Sequence, residues 1–197
     1  LDSLFTDRGT RNDIDLHLFT PEPSPLGIVG PESSSALQAR LAKRGISVHT
    51  GENLSQVDPD FHRASFLSGE SIFYDLLVSI PVHRSPRIVR EAGLTDGSGW
   101  VPVDPATLAT EKDDVYAVGD ITFLPMANGV PLPKAGAFAS AEGELAARNI
   151  AAQIKNEPSV TFSGDGFCFL DQGWGKGSLV RGGFMTNDKP QVTLESP

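Results

Sequence analysis

Val115-Tyr116-Ala117-Val118-Gly119-Asp120-Ile121 is a run of β-branched and apolar residues that ends in a Gly-Asp pair, and a loop leads from it into helical spacing between Lys134 and Ile154. Such a run, from Val115 to Val118, predicts a strand. A carboxylate at its carboxyl end, close to a helix amino terminus, is the arrangement with which α/β proteins take up nucleotide ligands. Gly119 lets the backbone approach a ligand closely, and the Asp120 carboxylate can accept from vicinal hydroxyls. The plainer use of Val-Gly-Asp is to end a strand in a turn or a cap.

Upstream of this stretch, 93–110 is a connector punctuated by Gly97, Gly99, Pro102 and Pro105, with one short strand from Trp100 to Asp104. A loop of that length suits a crossover between domains better than a turn inside one. Before it, Leu76 to Ile80 is nearly continuous apolar sequence, which predicts a strand buried on both faces. Two prolines then hold Pro81-Val82-His83-Arg84-Ser85-Pro86 extended, and structural roles are the expectation for His83 and Arg84. From Gly51 to Ser71, short strand-like runs alternate with turn signals, the pattern of an antiparallel meander.

The first fifty residues read as one β-α-β repeat after a short helix, Leu1 to Arg8, that stops at Gly9. Ile14 to Thr20 alternates with Ile14, Leu16 and Leu18 on one face. Ser33-Ser34-Ser35 offers hydroxyl caps for a helix reaching Arg44 and closed by Gly45, and Ile46 to Thr50 is the second strand, parallel by the crossover rule. Glu22 follows the first strand. There a carboxylate can accept from a ribose, or simply be a solvated acid in a Pro-x-Pro loop.

Downstream, the helical pattern places Phe138, Ala141 and Leu145 on one face and Ala146, Ile150 and Ile154 on another. Phe123, Leu124, Pro125 and Met126 either line an apolar pocket or cap the core. After Pro158 come strand-like segments at Thr161-Phe162, Gly166–Leu170, Ser178–Phe184 and Gln191–Leu194, separated by glycines. Gly175-Lys176-Gly177-Ser178 lacks the spacing of a phosphate loop.

The 197 residues are 39% hydrophobic and carry a net charge of -9, which argues against a nucleic-acid partner because phosphate binding needs a basic stripe. No apolar run approaches the roughly 20 residues that span a bilayer, so membrane contact is not expected from this segment. Cys168 is the only cysteine, so no internal disulfide and no cysteine-based zinc site can form. His17, His49, His62 and His83 lack metal-ligand spacing, and no metal is expected. The start at Leu1 reads as a cut or processed end, and a cytoplasmic location is the expectation.

The order Thr110, then Asp114-Val115-Tyr116-Ala117-Val118-Gly119-Asp120, Pro133-Lys134-Ala135-Gly136, Ala141-Glu142-Gly143-Glu144 and Ala147-Arg148-Asn149-Ile150 resembles the second FAD-contacting segment of the pyridine nucleotide-disulfide oxidoreductase superfamily. Within it, the resemblance is to the sulfide:quinone oxidoreductase-like group. Thr20–Leu26, Tyr74–Pro81, Pro81–Pro86 and Gly99–Asp104 look like further landmarks of that group, in its order. The glycine-rich G-x-G-x-x-G fingerprint with which the family begins does not occur here, so the chain looks like the back part of a larger flavoprotein.

The resemblance implies an α/β chain made of parts of two Rossmann-like FAD/NAD(P)-binding domains, with an antiparallel meander and a small β-rich carboxyl-terminal tail. Their expected limits are 1–92 for a partial NAD(P)-binding-like domain, 93–157 for the second segment of the FAD domain and 158–197 for the tail. FAD is the implied cofactor, with NAD(P) as a second. Gly119 and Asp120 would meet the ribityl chain, and Lys134-Ala135-Gly136 would open a helix at the pyrimidine edge of the ring. In Gly164-Asp165-Gly166-Phe167-Cys168-Phe169, Cys168 would be a redox cysteine whose partner thiol lies upstream; between two phenylalanines it also has the look of a small core residue.

The implied activity moves two electrons from sulfide, a thiol or NAD(P)H through flavin to a quinone or disulfide. An upstream FAD-binding segment of the same protein would be the partner of this one, and a homodimer is compatible with it. The chain stops without the amphipathic helices that carry the sulfide:quinone enzymes to membranes. Two other readings are a non-catalytic remnant kept for interaction, and an NADH:quinone reductase-like flavoprotein without cysteine chemistry.

Overall fold

The computed structural model describes residues 1–185 and 191–195. They divide into two compact units: Leu1–Pro81 with Asp171–Ser178, and Val82–Leu170 with the described part of 179–195. The division falls at Pro81–Val82 rather than in the connector 93–110, and the tail is shared between the units instead of standing apart.

In the first unit, helix α1 (Asp2–Asp7) ends before Gly9 and strand β1 (Leu16–Thr20) follows. Helix α2 spans Pro31–Lys43 and strand β2 spans Ile46–Thr50. β1 and β2 pair in parallel, Leu16 opposite Ile46 and Thr20 opposite Thr50, as the crossover rule requires. The serines predicted to cap α2 do not: the helix starts at least three residues earlier, with Gly30 as cap and Pro31 in the first turn, where a missing N–H costs nothing. Ser34 is instead buried, and its hydroxyl donates to the Pro25 carbonyl at 2.5 Å. Arg11 ties the start of β1 to the α2–β2 turn: it donates to Asp2 (2.7 Å) and to the carbonyls of Ile14 (2.8 Å), Arg44 (2.7 Å) and Gly45 (3.0 Å).

The meander forms as β3 (Leu54–Asp58), β4 (Arg63–Phe66) and β5 (Ser71–Phe73), antiparallel and in that order. The doubly buried strand expected at Leu76–Ile80 does not. No ladder forms there, and Leu76, Val78 and Ile80 are 65%, 68% and 82% exposed. A strand apolar on both faces needs parallel neighbours and cover above and below, and the two-stranded β1–β2 sheet provides neither.

In the second unit, helix α3 (Arg87–Glu91) is a single exposed turn closed by an Arg87–Glu91 ion pair. Strand β6 (Val101–Pro102) pairs in parallel with β7 (Thr122–Phe123), Val101 opposite Thr122. The strand predicted at Val115–Val118 is reduced to one antiparallel bridge between Ala109 and Tyr116, because among the described residues no neighbour offers a longer ladder. Its backbone stays extended up to Val118. Leu124 and Met126 are buried and contribute to the core, while Phe123 and Pro125 are half-buried.

Helix α4 spans Gly136–Lys155. Lys134 and Ala135 lie outside it, on an approach that Pro131 and Pro133 keep extended, so the helix is not led by the lysine. The buried stripe is Phe138, Glu142, Leu145, Asn149 and Ala152, together with Ala146. The second apolar face expected through Ile150 and Ile154 is overturned, since these are 43% and 77% exposed. Asn149 is buried because it works as a staple. Its amide donates to the carbonyls of Thr107 and Val160, both at 3.2 Å, and its carbonyl accepts from the Val160 N–H at 2.8 Å.

The tail folds into β8 (Asp165–Gly173), β9 (Lys176–Gly183) and β10 (Gln191–Glu195), with β9 in the centre. Thr161-Phe162 is not a strand; Phe162 makes one backbone bond, to Ala106 at 2.8 Å. Asn149→Ala would leave three loop backbone groups unpartnered at a site 1% exposed. We expect it to destabilise the protein by about 3 kcal/mol, read as a lower urea midpoint.

Candidate cofactor site

The site is built on the turn at Gly119–Ile121, a single 3-10 turn between the end of the extended run and β7. Gly119 has φ +74°, and a Cβ there would meet the Ala139 Cβ at 3.3 Å, so glycine answers both a backbone and a packing demand. The Gly119 N–H donates to Glu142 Oε2 at 2.5 Å and the Thr122 hydroxyl donates to the Gly119 carbonyl at 2.9 Å. From the other side, Lys134 Nζ donates to the carbonyls of Asp120 (2.5 Å) and Thr122 (3.1 Å). Turn, α4 and the Lys134 approach are thereby locked together.

Between them lies a solvent-open concavity of about 210 Å³, walled by Gly119, Asp120, Thr122, Lys134, Ala135 and Glu142, with apolar contributions from Leu132 and Phe138. Ligand pockets bury most of the surface of a drug-sized molecule, whereas this concavity lies open to solvent, so it suits one part of a larger ligand. The amino end of α4 forms one wall and carries no side-chain cap, which leaves its first N–H groups and the positive end of the helix dipole facing outward. The Asp120 carboxylate is exposed at the rim.

Charge at the site is shaped mainly by burial. Glu142 is 2% exposed, and loss of water raises its pKa above the ordinary glutamate value; the Gly119 N–H and Lys134 pull it back, while Asp120 pushes it further up. Lys134 is lowered from the usual lysine value, again chiefly by desolvation, with Asp120 and Glu142 opposing.

Of the residues singled out from sequence, Gly119, Asp120, Lys134 and Ala135 line this one concavity, and Gly136 opens the helix beside it. Cys168 is exposed on β8, which excludes a buried core role; two residues before it, Gly166 packs so tightly on the Phe138 ring that no Cβ could fit. Glu22 belongs to the first unit, exposed at the end of β1, where its carbonyl accepts from the Gly51 N–H at 3.0 Å. Glu142 and Trp100 are the residues that sequence reasoning passed over. Glu142 was detectable as an acid on the helix stripe that begins at Phe138, whereas nothing in the sequence places Trp100 beside Lys134.

The family model for pyridine nucleotide-disulphide oxidoreductases matches residues 8–146. The chain belongs to that family. Among curated proteins, it is 27% identical over 192 residues to the mitochondrial sulfide:quinone oxidoreductase of Schizosaccharomyces pombe, covering 93% of this chain and 40% of that protein. It is 30% identical over 151 residues to the mitochondrial enzyme of the same name from Mus musculus, covering 73% of this chain and 32% of that protein. The chain thus spans well under half the length of these relatives. The solved sulfide:quinone oxidoreductase of Aquifex aeolicus superposes with a TM-score of 0.81 at 19% identity, over 98% of this chain and 48% of its own. The fold is therefore the mixed α/β, Rossmann-like architecture of this family, and within the family the chain sides with the sulfide:quinone oxidoreductase-like group.

Two outcomes follow from the geometry of this family member. Gly119→Ala forces a left-handed alanine against Ala139, and we expect a loss of about 1–2 kcal/mol, measured by chemical denaturation. A carboxyl whose pKa is raised on folding stabilises the fold below its unfolded value, and that contribution is lost as pH climbs through the folded value. We therefore expect the melting temperature to fall as pH rises out of the ordinary glutamate range, and Glu142→Gln, which keeps an acceptor for Gly119, to flatten that profile. Superimposable pH profiles of wild type and variant would show that Glu142 does not titrate in this way.

Proposed function

We propose that the second unit supplies the isoalloxazine and ribityl side of an FAD site, and that the whole protein is an FAD-dependent oxidoreductase. Two electrons would pass from sulfide, a thiol or NAD(P)H to a quinone or a disulfide. The observation that carries this reading is the convergence on one open concavity of a left-handed glycine, an exposed carboxylate, a half-buried lysine and an uncapped helix amino terminus. Asp120 can accept from the vicinal hydroxyls of a ribityl chain, and Gly119 admits close backbone approach. The α4 terminus and Lys134 place positive potential where a flavin ring gathers negative charge on reduction. When bound, FAD supplies the two-electron redox centre; the part of these residues is to bind it, orient it and bias its charge.

The openness of the concavity suits a surface for part of the cofactor, the ADP portion being held by a glycine fingerprint that these 197 residues do not contain. Glu22 would accept from a ribose of the second nucleotide. Cys168 is the proposed redox cysteine, supported by its exposure and by the anchoring of its strand on Phe138, a wall of the concavity. The names of the curated relatives favour sulfide as donor and quinone as acceptor.

In the full-length protein, Asp120→Ala should weaken FAD binding about tenfold or more, the worth of a charge-assisted hydrogen bond, with retained flavin read from its visible absorbance. Unchanged FAD affinity would sink the assignment of Asp120. Cys168→Ser should abolish reduction of the flavin by sulfide while leaving reduction by NADH intact. Undiminished reduction by sulfide would remove Cys168 from the electron path.

A further inference from the structure

Lysine carries three ammonium protons, and at Lys134 two of them are engaged by the carbonyls of Asp120 and Thr122. The same ammonium lies over the Trp100 ring, with Nζ 3.8 Å from its centroid. That is within the range at which an indole face holds a cation, and the interaction strengthens where water is excluded. The arrangement is set by the backbone. Val101 is fully buried and pairs with Thr122 across β6–β7, so the residue before it stands beside the Thr122 carbonyl that receives Lys134. The Trp100 carbonyl is held in turn by the Asp96 N–H at 3.0 Å.

We infer that Trp100 is a positioning residue of the cofactor site, which keeps the Lys134 ammonium charged and seated on the Gly119–Thr122 turn. This rests on the flavin reading only for its functional consequence; the contact itself belongs to this chain. Burial draws Lys134 toward its neutral form, and the charged groups facing it are Asp120 at the rim and Glu142 on α4. To their attraction the ring face adds one that does not itself titrate. With two ammonium protons on the carbonyls of the turn, Lys134 acts on a ligand in the concavity through its charge and through the turn it holds.

The test needs no flavin. In the present chain with nitrogen-labelled lysine, the Lys134 resonance, assigned by its loss in Lys134→Arg, is followed through a pH titration in wild type, Trp100→Phe and Trp100→Leu. We expect the acid dissociation constant to rise about tenfold in Trp100→Leu and by less in Trp100→Phe, which keeps a weaker ring face. Equal constants in all three proteins would overturn the inference. Should Trp100→Leu fail to fold, Trp174→Phe leaves Trp100 as the single indole, and its fluorescence should change with pH along the Lys134 titration and cease to do so in Lys134→Gln; a pH-independent emission would again overturn it. In the full-length protein, Trp100→Leu should lower the midpoint potential of the bound flavin. If Lys134 titrates as expected but the full-length protein binds no FAD, the flavin reading fails while the role of Trp100 stands. If FAD binds and the titrations coincide, the reverse holds.

Discussion

The turn at Gly119–Thr122 has hardly any sheet to hold it. One bridge precedes it and a two-residue strand follows, so its shape depends on a buried carboxyl below and an ammonium above. Glu142 can be afforded at 2% exposure because its oxygen receives the Gly119 N–H, and a buried acid with a partner is far less costly than one without. Lys134 closes the same turn from its carbonyl side. These two contacts place Asp120 at the rim of the concavity, and every functional proposal for the site descends from that placement.

Helix α4 makes this possible by carrying polar staples on its buried stripe. Glu142 serves the Gly-Asp turn, and two turns further along Asn149 serves the loops at Thr107 and Val160. The alanines and glycine around them let loops without regular structure approach the helix closely, and the staples satisfy the backbone groups such loops would otherwise bury unpaired. The same burial that makes the staples strong also raises the pKa of Glu142 and lowers that of Lys134. Fold and electrostatics at this site are consequences of one desolvated contact.

The departures from sequence-based expectation share a physical origin. Leu76–Ile80 and Val115–Val118 have the composition of buried parallel strands, but composition reports only the environment a segment suits; among the described residues the first forms no ladder and the second only the bridge at Tyr116. Ile150 and Ile154 likewise fit an apolar face and lie open. Helix α2 begins at Pro31 rather than after the serines because proline in the first turn serves the backbone better than a later hydroxyl cap. In the first unit, by contrast, the parallel β1–α2–β2 order and the antiparallel meander were legible, apart from the start of α2 and the third meander strand Ser71–Phe73, since local periodicity and turn residues largely specify them.

The amino-acid order alone pointed to the family and the α/β class, through a Gly-Asp pair, a Pro-Lys-Ala-Gly approach and a small-residue helix whose order resembles that family's, and the family match over residues 8–146 bears this out. It also singled out Gly119, Asp120, Lys134 and Ala135, which the fold gathers around one concavity. Only the tertiary structure revealed that Lys134 stands outside the helix with two of its protons on carbonyls of the turn, that Glu142 reaches the turn from the buried face of α4, and that Trp100 lies against the ammonium. Those contacts join residues distant in the chain through ladder register and helix phase, and no local pattern encodes which side chains such a meeting brings within reach.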